Sequence, residues 1–268
     1  MGLAFDSVLA AAINPGAGGA TATVTASGDP LSVRNFVDGT AAAYLELITR
    51  MGTTAGFAQV QSPLFHDNVQ GIRITPGESP SVYGIPGLAA EQLHPQDTLA
   101  VSVAGGAAET DIVILHNYYT DLPGAAARLH SWGDIAGNIA HVKPIRVAVT
   151  TSATIGAWAD TVITTTENLL KANTDYAVLG YSTNTALGAI GIKGPDTSNL
   201  RATGPGATSE FATSNYFAYL SQSRGLPFIP VFNAANANAT FVSSYAATAS
   251  VAAVVELIVA QLSSNLPT

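Results

Sequence analysis

Apolar and β-branched residues are gathered along the chain in short runs, divided by Gly, Pro, Asn and Asp. Runs of this length and spacing, with turn residues between them, predict β-strands. In the first part of the chain they fall at residues 21–27, 33–37, 42–49, 56–61 and 69–75. In the second part they fall at 145–150, 160–165, 176–181, 186–192, 200–203 and 226–232. Pro227 and Pro230 confine the last run to an edge or irregular strand, because proline cannot donate to a sheet ladder. Many short strands without long helical stretches between them predict an all-β fold rather than alternating strands and helices. Residues 75–94 hold three Pro and three Gly and read as a long loop pinned by Tyr83 and Leu88. Residues 5–13 read as a short amphipathic helix stopped by Asn14-Pro15-Gly16. A second short helix is expected after Pro123, through Ala125–Leu129, broken near Gly133. The stretch FATSNYFAYL at 211–220 suits a helix or a strand, residues 233–239 read as a turn, and the tail 263–268 as loose.

The pattern repeats. Residues 98–119, TLAVSVAGGAAETDIVILHNYY, overlay residues 240–261, TFVSSYAATASVAAVVELIVAQ, without a gap. Each copy reads as strand, small-residue gap and strand, which predicts a β-hairpin used twice. Upstream, Val24-Thr25-Ala26-Ser27 matches Val149-Thr150-Thr151-Ser152 at an offset of 125. The segments beginning at Tyr44 and Gly56 match those beginning at Tyr176 and Ala189 at an offset of about 132. Two similar β domains in tandem are therefore expected. Their bounds are an arm at 1–19, a first domain at 20–121, a connector at 122–143, a second domain at 144–262 and a tail at 263–268.

Composition narrows the functional classes. Only 10% of the 268 residues are charged, against an ordinary share of about 25%. A surface built from Ala, Gly, Ser, Thr and Asn suits contact with other protein more than lone existence in water. The net charge is −8 and the ten Lys and Arg are scattered singly, so phosphate neutralisation and sequence-specific nucleic-acid binding are not expected. Without cysteine there are no disulfides or thiolate metal sites. Residues 3–20 lack a basic start and carry Asp6 inside the apolar run, which is the wrong charge pattern for a signal peptide.

The candidate chemistry is sparse. His66, His94, His116, His130 and His141 form no HxxxH or HExxH pair, and His116 reads as an interface or rim residue. Asp97, Glu109 and Asp111 would suit a hard cation such as calcium, but the second copy has Ala239, Val251 and Ala253 at the matching positions. The Gly-rich stretches at 16–19 and 204–206 lack the lysine and the strand–loop–helix setting of a phosphate cradle. No GxSxG elbow occurs. Asn238-Ala239-Thr240 is a glycosylation sequon, relevant only to an exported chain. Catalytic, cofactor and metal residues are therefore expected to be none, and the chain is not expected to be an enzyme. Tyr118, Tyr119, Tyr216, Phe217, Tyr219 and Trp132 are candidates either for packing or for stacking on sugars. The second use would make the chain a secreted carbohydrate-binding or adhesin module.

A duplicated β unit, low charge, a short N-terminal arm and no catalytic constellation together resemble the double jelly-roll major capsid proteins of tailless icosahedral viruses. The resemblance covers residues 21–262 and is one of architecture, with no diagnostic motif. It implies two tandem jelly-roll β-barrels, a homotrimer of pseudo-hexagonal outline, and a virion location after assembly in the host cytoplasm. It also implies as partners neighbouring capsomers, penton or minor capsid proteins, and an internal membrane where the virus has one. No cofactor is implied.

Overall fold

The computed structural model describes residues 3–13, 22–24, 42–51, 57–61, 71–74, 81–84, 91–93, 100–103, 111–120, 128–163, 170–206 and 213–267. Up to residue 120 these form β1 (Leu3–Ile13), β2 (Ala22–Val24), β3 (Ala42–Met51), β4 (Ala58–Gln61), β5 (Ile72–Ile74), β6 (Ser81–Gly84), β7 (Glu91–Leu93), β8 (Ala100–Val103) and β9 (Asp111–Thr120). The second half carries β10 (Leu129–His130), α1 (Trp132–Ala136), β11 (Ile139–Thr150), β12 (Trp158–Val162), β13 (Asp175–Thr183), β14 (Ala189–Lys193) and β15 (Ala202–Pro205). After these come α2 (Tyr216–Arg224), β16 (Ile229–Asn233), β17 (Phe241–Tyr245) and β18 (Ala252–Leu262). The fold class is all-β, as the strand spacing predicts.

Strand order makes the duplication concrete. The large sheet of the first half runs β1-β9-β3, with β6 and β7 both on the far edge of β3, and its small sheet runs β2-β8-β4-β5. The second half runs β11-β18-β13-β16-β10 and β12-β17-β14-β15. Taking β7 with β16, the two halves share one order in both sheets. The correspondence reaches single residues. β3 slips register against β9 between Leu45 and Leu47, and β13 slips against β18 between Val178 and Gly180. A bulge therefore sits at Glu46 in one half and at Leu179 in the other, and bulges are structural features rather than accidents. With the bulges superposed, Ile112 answers to Val254, Ile114 to Glu256 and His116 to Ile258, each 142 positions apart.

Several expectations are corrected. The N-terminal segment is no helix: β1 pairs antiparallel with β9 along its length, with a slip between Asp6 and Leu9. Helix propensity in its Ala run is outweighed by an open sheet edge that needs a strand. The proposed hairpins are not hairpins, because β8 pairs with β2 and β4 while β9 pairs with β1 and β3. In the second half β17 and β18 likewise belong to different sheets, so each strand–gap–strand unit is a crossover between sheets. The segment at 149–152 matches nothing in β2, since Val149 belongs to β11 and the counterpart of β2 is β12. The loop expected at 75–94 contains β6 and β7. The connecting helix lies at Trp132–Ala136 and includes Gly133, and its start is set by a capping box between Ser131 and Asp134. Of the helix expected through Leu129, residues 123–127 lie outside the described residues, as does the strand at 33–37, and Leu129 opens β10 rather than ending a helix. The 211–220 ambiguity resolves as helix from Tyr216, and residues 234–239 form a 3₁₀ turn.

In the second half the core follows the strand alternation. Ile145, Val147 and Val149 on β11 point inward against Val255, Leu257 and Val259 on β18, and the residues between them in β11 are exposed. Tyr176, Tyr181, Phe217, Phe228 and Phe232 fill the centre. Gly180 is required by close approach: a Cβ there would sit 2.3 Å from the Thr213 carbonyl oxygen. The tail is not loose. Asp175, fully buried, accepts from the guanidinium of Arg128, from Asn233 Nδ2 at 2.7 Å and from the backbone N–H of Leu266 at 2.9 Å. Arg128 also donates to the Leu266 carbonyl at 3.1 Å, and Ser263 and Ser264 bond to Asn138. Burial alone would raise the Asp175 carboxyl; the hydrogen bonds from Arg128 and Leu266 hold it below the usual range. Asp175→Ala should leave the buried Arg128 with only its longer ion pair to Asp196, at 3.6 Å, and cost about 3 kcal/mol in urea unfolding; an unchanged midpoint would contradict this role.

Candidate assembly interface

The two halves meet through different faces. Thr49, Leu47 and Tyr44 on β3 and Ile112, Ile114, His116 and Tyr118 on β9 share the face of the large sheet turned toward the second half. Opposite Ile112 and Ile114 lie Ala189 on β14 and Tyr245 on β17, in one buried cluster with Trp158 and Ala247 packed against it. Trp158 stands edge-on to Tyr245 with ring centroids 5.1 Å apart. Tyr118 stacks on Tyr44 at 5.3 Å and meets Phe228 edge-on at 5.0 Å, and Leu47 and Tyr118 join the main core of the second half. The large sheet of the first half is thus laid on the small sheet of the second, a head-to-tail arrangement of two equivalent units.

Among the described residues one ion pair crosses this contact. Arg224, at the end of α2, donates to Glu46 Oε1 through Nη2 at 2.8 Å and Nε at 3.2 Å. Glu46 is buried and Arg224 partly so, and Glu46 Oε2 and Arg224 Nη1 have no hydrogen-bond partner. Burial pushes the Glu46 carboxyl up despite the Arg224 guanidinium. A buried pair satisfied on one side only fixes orientation more than it stabilises. The equivalent bulge residue in the second half, Leu179, is apolar.

His116 lies on the same face, buried, with Nε2 3.1 Å from Thr49 Oγ1. Burial lowers its pKa to about 3, so it is neutral in the fold. It is a buried interface residue and not a rim residue. His130 is half-buried, its pKa lowered by burial and then by Arg128, and His141 is exposed on β11. His66, His94, Asp97 and Glu109 lie outside the described residues; Asp111 is the first residue of β9. Tyr118, Tyr216 and Phe217 are packed against other rings, which takes them from the sugar-stacking reading; Tyr219 is 69% exposed. Asn238 is exposed, while Thr240 is buried.

On the outer face of the second small sheet, Asp160 accepts from Ser243 Oγ at 2.6 Å and Lys193 Nζ at 2.9 Å and pairs with Arg201 at 3.3 Å. Burial would raise this carboxyl, but the Ser243 and Lys193 hydrogen bonds hold it below its usual range. Arg201 lies over the Trp158 ring at 4.9 Å, and in the first half Arg73 lies over Phe57 at 4.6 Å. A cation–aromatic pair occurs on each of the two small sheets and was not legible in sequence, because its members lie 16 and 43 positions apart. Among the described residues no three His, Asp or Glu converge in a way that could hold a metal ion. The hydroxyl of Ser243 donates to a carboxylate and not to a histidine, so this cluster binds its own charges together rather than activating a nucleophile.

No family model and no curated protein matches the chain. Among solved structures it is similar to one described as the crystal structure of the STIV MCP, at 10% identity over 97% of this chain and 88% of that one, with a TM-score of 0.23. A likeness this distant carries no structural argument.

Two predictions test the contact. Arg224→Met alone should destabilise the protein by about 3–5 kcal/mol, and adding Glu46→Leu should recover most of that loss. Neutral His116 in the fold gains a proton below its unfolded pKa of about 6.5 only on unfolding, so stability should fall from pH 6.5 to pH 5 by about 2 kcal/mol on its account. His130 acts in the same sense and Glu46, with its raised pKa, in the opposite one. The difference in urea midpoint between wild type and His116→Gln at the two pH values isolates the His116 share.

Proposed function

We propose that the chain is a capsid protein of a tailless icosahedral virus, the major one, built from two jelly-roll barrels and working by self-assembly. The observation that carries this reading is the head-to-tail burial of one half on the other by two units of identical strand order. Numbered over β11–β18, and over the first half with β6 set aside, the sheets run first-eighth-third-sixth and second-seventh-fourth-fifth, the order of an eight-stranded jelly roll. In this reading the first barrel takes in β1 and spans residues 3–120, and the second spans 139–262. A heterologous contact repeated by equivalent units closes into a ring when its rotation allows. Three chains then supply six similar barrels, a unit that tiles a near-hexagonal lattice. The low charge fits a surface spent largely on protein contact.

Partners in this scheme are further copies of the chain, neighbouring capsomers and penton or minor capsid proteins, and the location is the virion. Light scattering of the purified protein should give a species of three times 27.3 kDa that passes to large closed particles visible by electron microscopy. A monomer that persists at high concentration would overturn the reading.

A further inference from the structure

The face that buries the contact within the chain exists twice, and only one copy is covered. On β9, Ile112 and Ile114 are 1% and 0% exposed, because the small sheet of the second half lies over them. Their counterparts on β18 are open: Val254 is 40% exposed and Glu256 28%. Across the strand pair, Ala148 opposite Val254 and Pro144 opposite Ile258 are exposed too, and Val142 is 55% exposed. One ion pair, Arg146 to Glu256 at 2.6 Å, crosses this otherwise small and apolar strip. Residues 213–214 close the neighbouring part of the sheet at Gly180, so what stays open is the β11–β18 strip itself.

We propose that this strip is the docking surface for the small sheet of the first half of a second copy, centred on Phe57 and Arg73. The proposal rests on the assembly reading above and names the surfaces that reading needs. The occupant follows from the repeat. What covers Ile112 and Ile114 is the outer face around Ala189 and Trp158. Ala189 opens β14 just before the inward-facing Ile190, and Phe57 stands just before the inward-facing Ala58 at the start of β4. The Arg201–Trp158 pair on that covering face has its parallel in Arg73–Phe57, and Arg73 is exposed. Each copy would then donate one strip and accept one, and the contact propagates in a single direction.

The chain has no cysteine, so engineered thiols report this contact cleanly. The full-length double variant Val254→Cys with Phe57→Cys, oxidised under mild conditions, should form intermolecular disulfides that link copies into closed oligomers, and a mixture of the two single variants should give linked dimers. Val254→Cys alone should not link to itself; efficient self-linking would mean a symmetric contact and overturn the proposal. Val254→Glu should weaken self-association at least tenfold in light scattering, with a thermal midpoint within a few degrees of wild type because the position is open. Oligomers that persist in Val254→Glu, together with no disulfides in the double variant, would overturn this interface and leave the assembly reading standing. A wild-type chain that stays monomeric would overturn both.

Discussion

Burial of the β9 face is the interaction on which the arrangement depends. Ile112 and Ile114 can leave water only against Ala189, Tyr245 and Trp158, which belong to the other half. Neither half has a second sheet to spare for that purpose, since each small sheet is already packed on its own large sheet. The first half is therefore completed by the second. Each fully buried aliphatic side chain contributes roughly 1.5–3 kcal/mol, so this patch and the Tyr44–Tyr118–Phe228 stack outweigh the strain of burying Glu46 and Arg224 beside them. The ion pair then serves orientation: a sheet sliding on a sheet would lose it at once.

The two halves keep one backbone and spend their side chains differently. Glu46 and Leu179 occupy the same bulge, Ile114 and Glu256 the same rung. At the rungs of Ile112 and Ile114 the first half carries apolar residues where it meets its covalent neighbour. The second half carries an ion pair and partly exposed valines at the same rungs, the mixture expected of a surface that must stay soluble before it finds a partner. Around the join, Arg128 and Asp175 tie the connector, the start of β13 and the tail into a single buried polar knot.

The fold class was legible because strand spacing and turn residues are local signals. The tandem repeat was legible as well, and the offset of 142 across β9 and β18 holds to the residue. Pairing was not. Strand, gap and strand look alike whether they fold back as a hairpin or cross to another sheet, since partners such as β2 and β4 lie far away in sequence. Residues 5–13 read as a helix because Ala10, Ala11 and Ala12 favour one in isolation, while the edge of β9 that turns them into strand is about a hundred residues away. Of the interface, only His116 and Tyr118 stand out in the sequence. Ile112, Ile114, Ala189 and Tyr245 read as ordinary core residues, because nothing in a sequence distinguishes an apolar side chain that faces its own domain from one that faces its neighbour.

Strand order also sets when surfaces come into being. β11 pairs with β18 alone among the described strands, so Ile139–Thr150 has no sheet to join until residues 252–262 have been made. The strip carrying Val142 and Val254 is shared between those two strands and does not exist on a shorter nascent chain. Translation thus acts as a timer: the strip proposed for docking is absent from any chain whose second strand is still unmade. Such late closure across long sequence separations slows folding, and here it keeps the proposed docking strip from forming until the second half is whole.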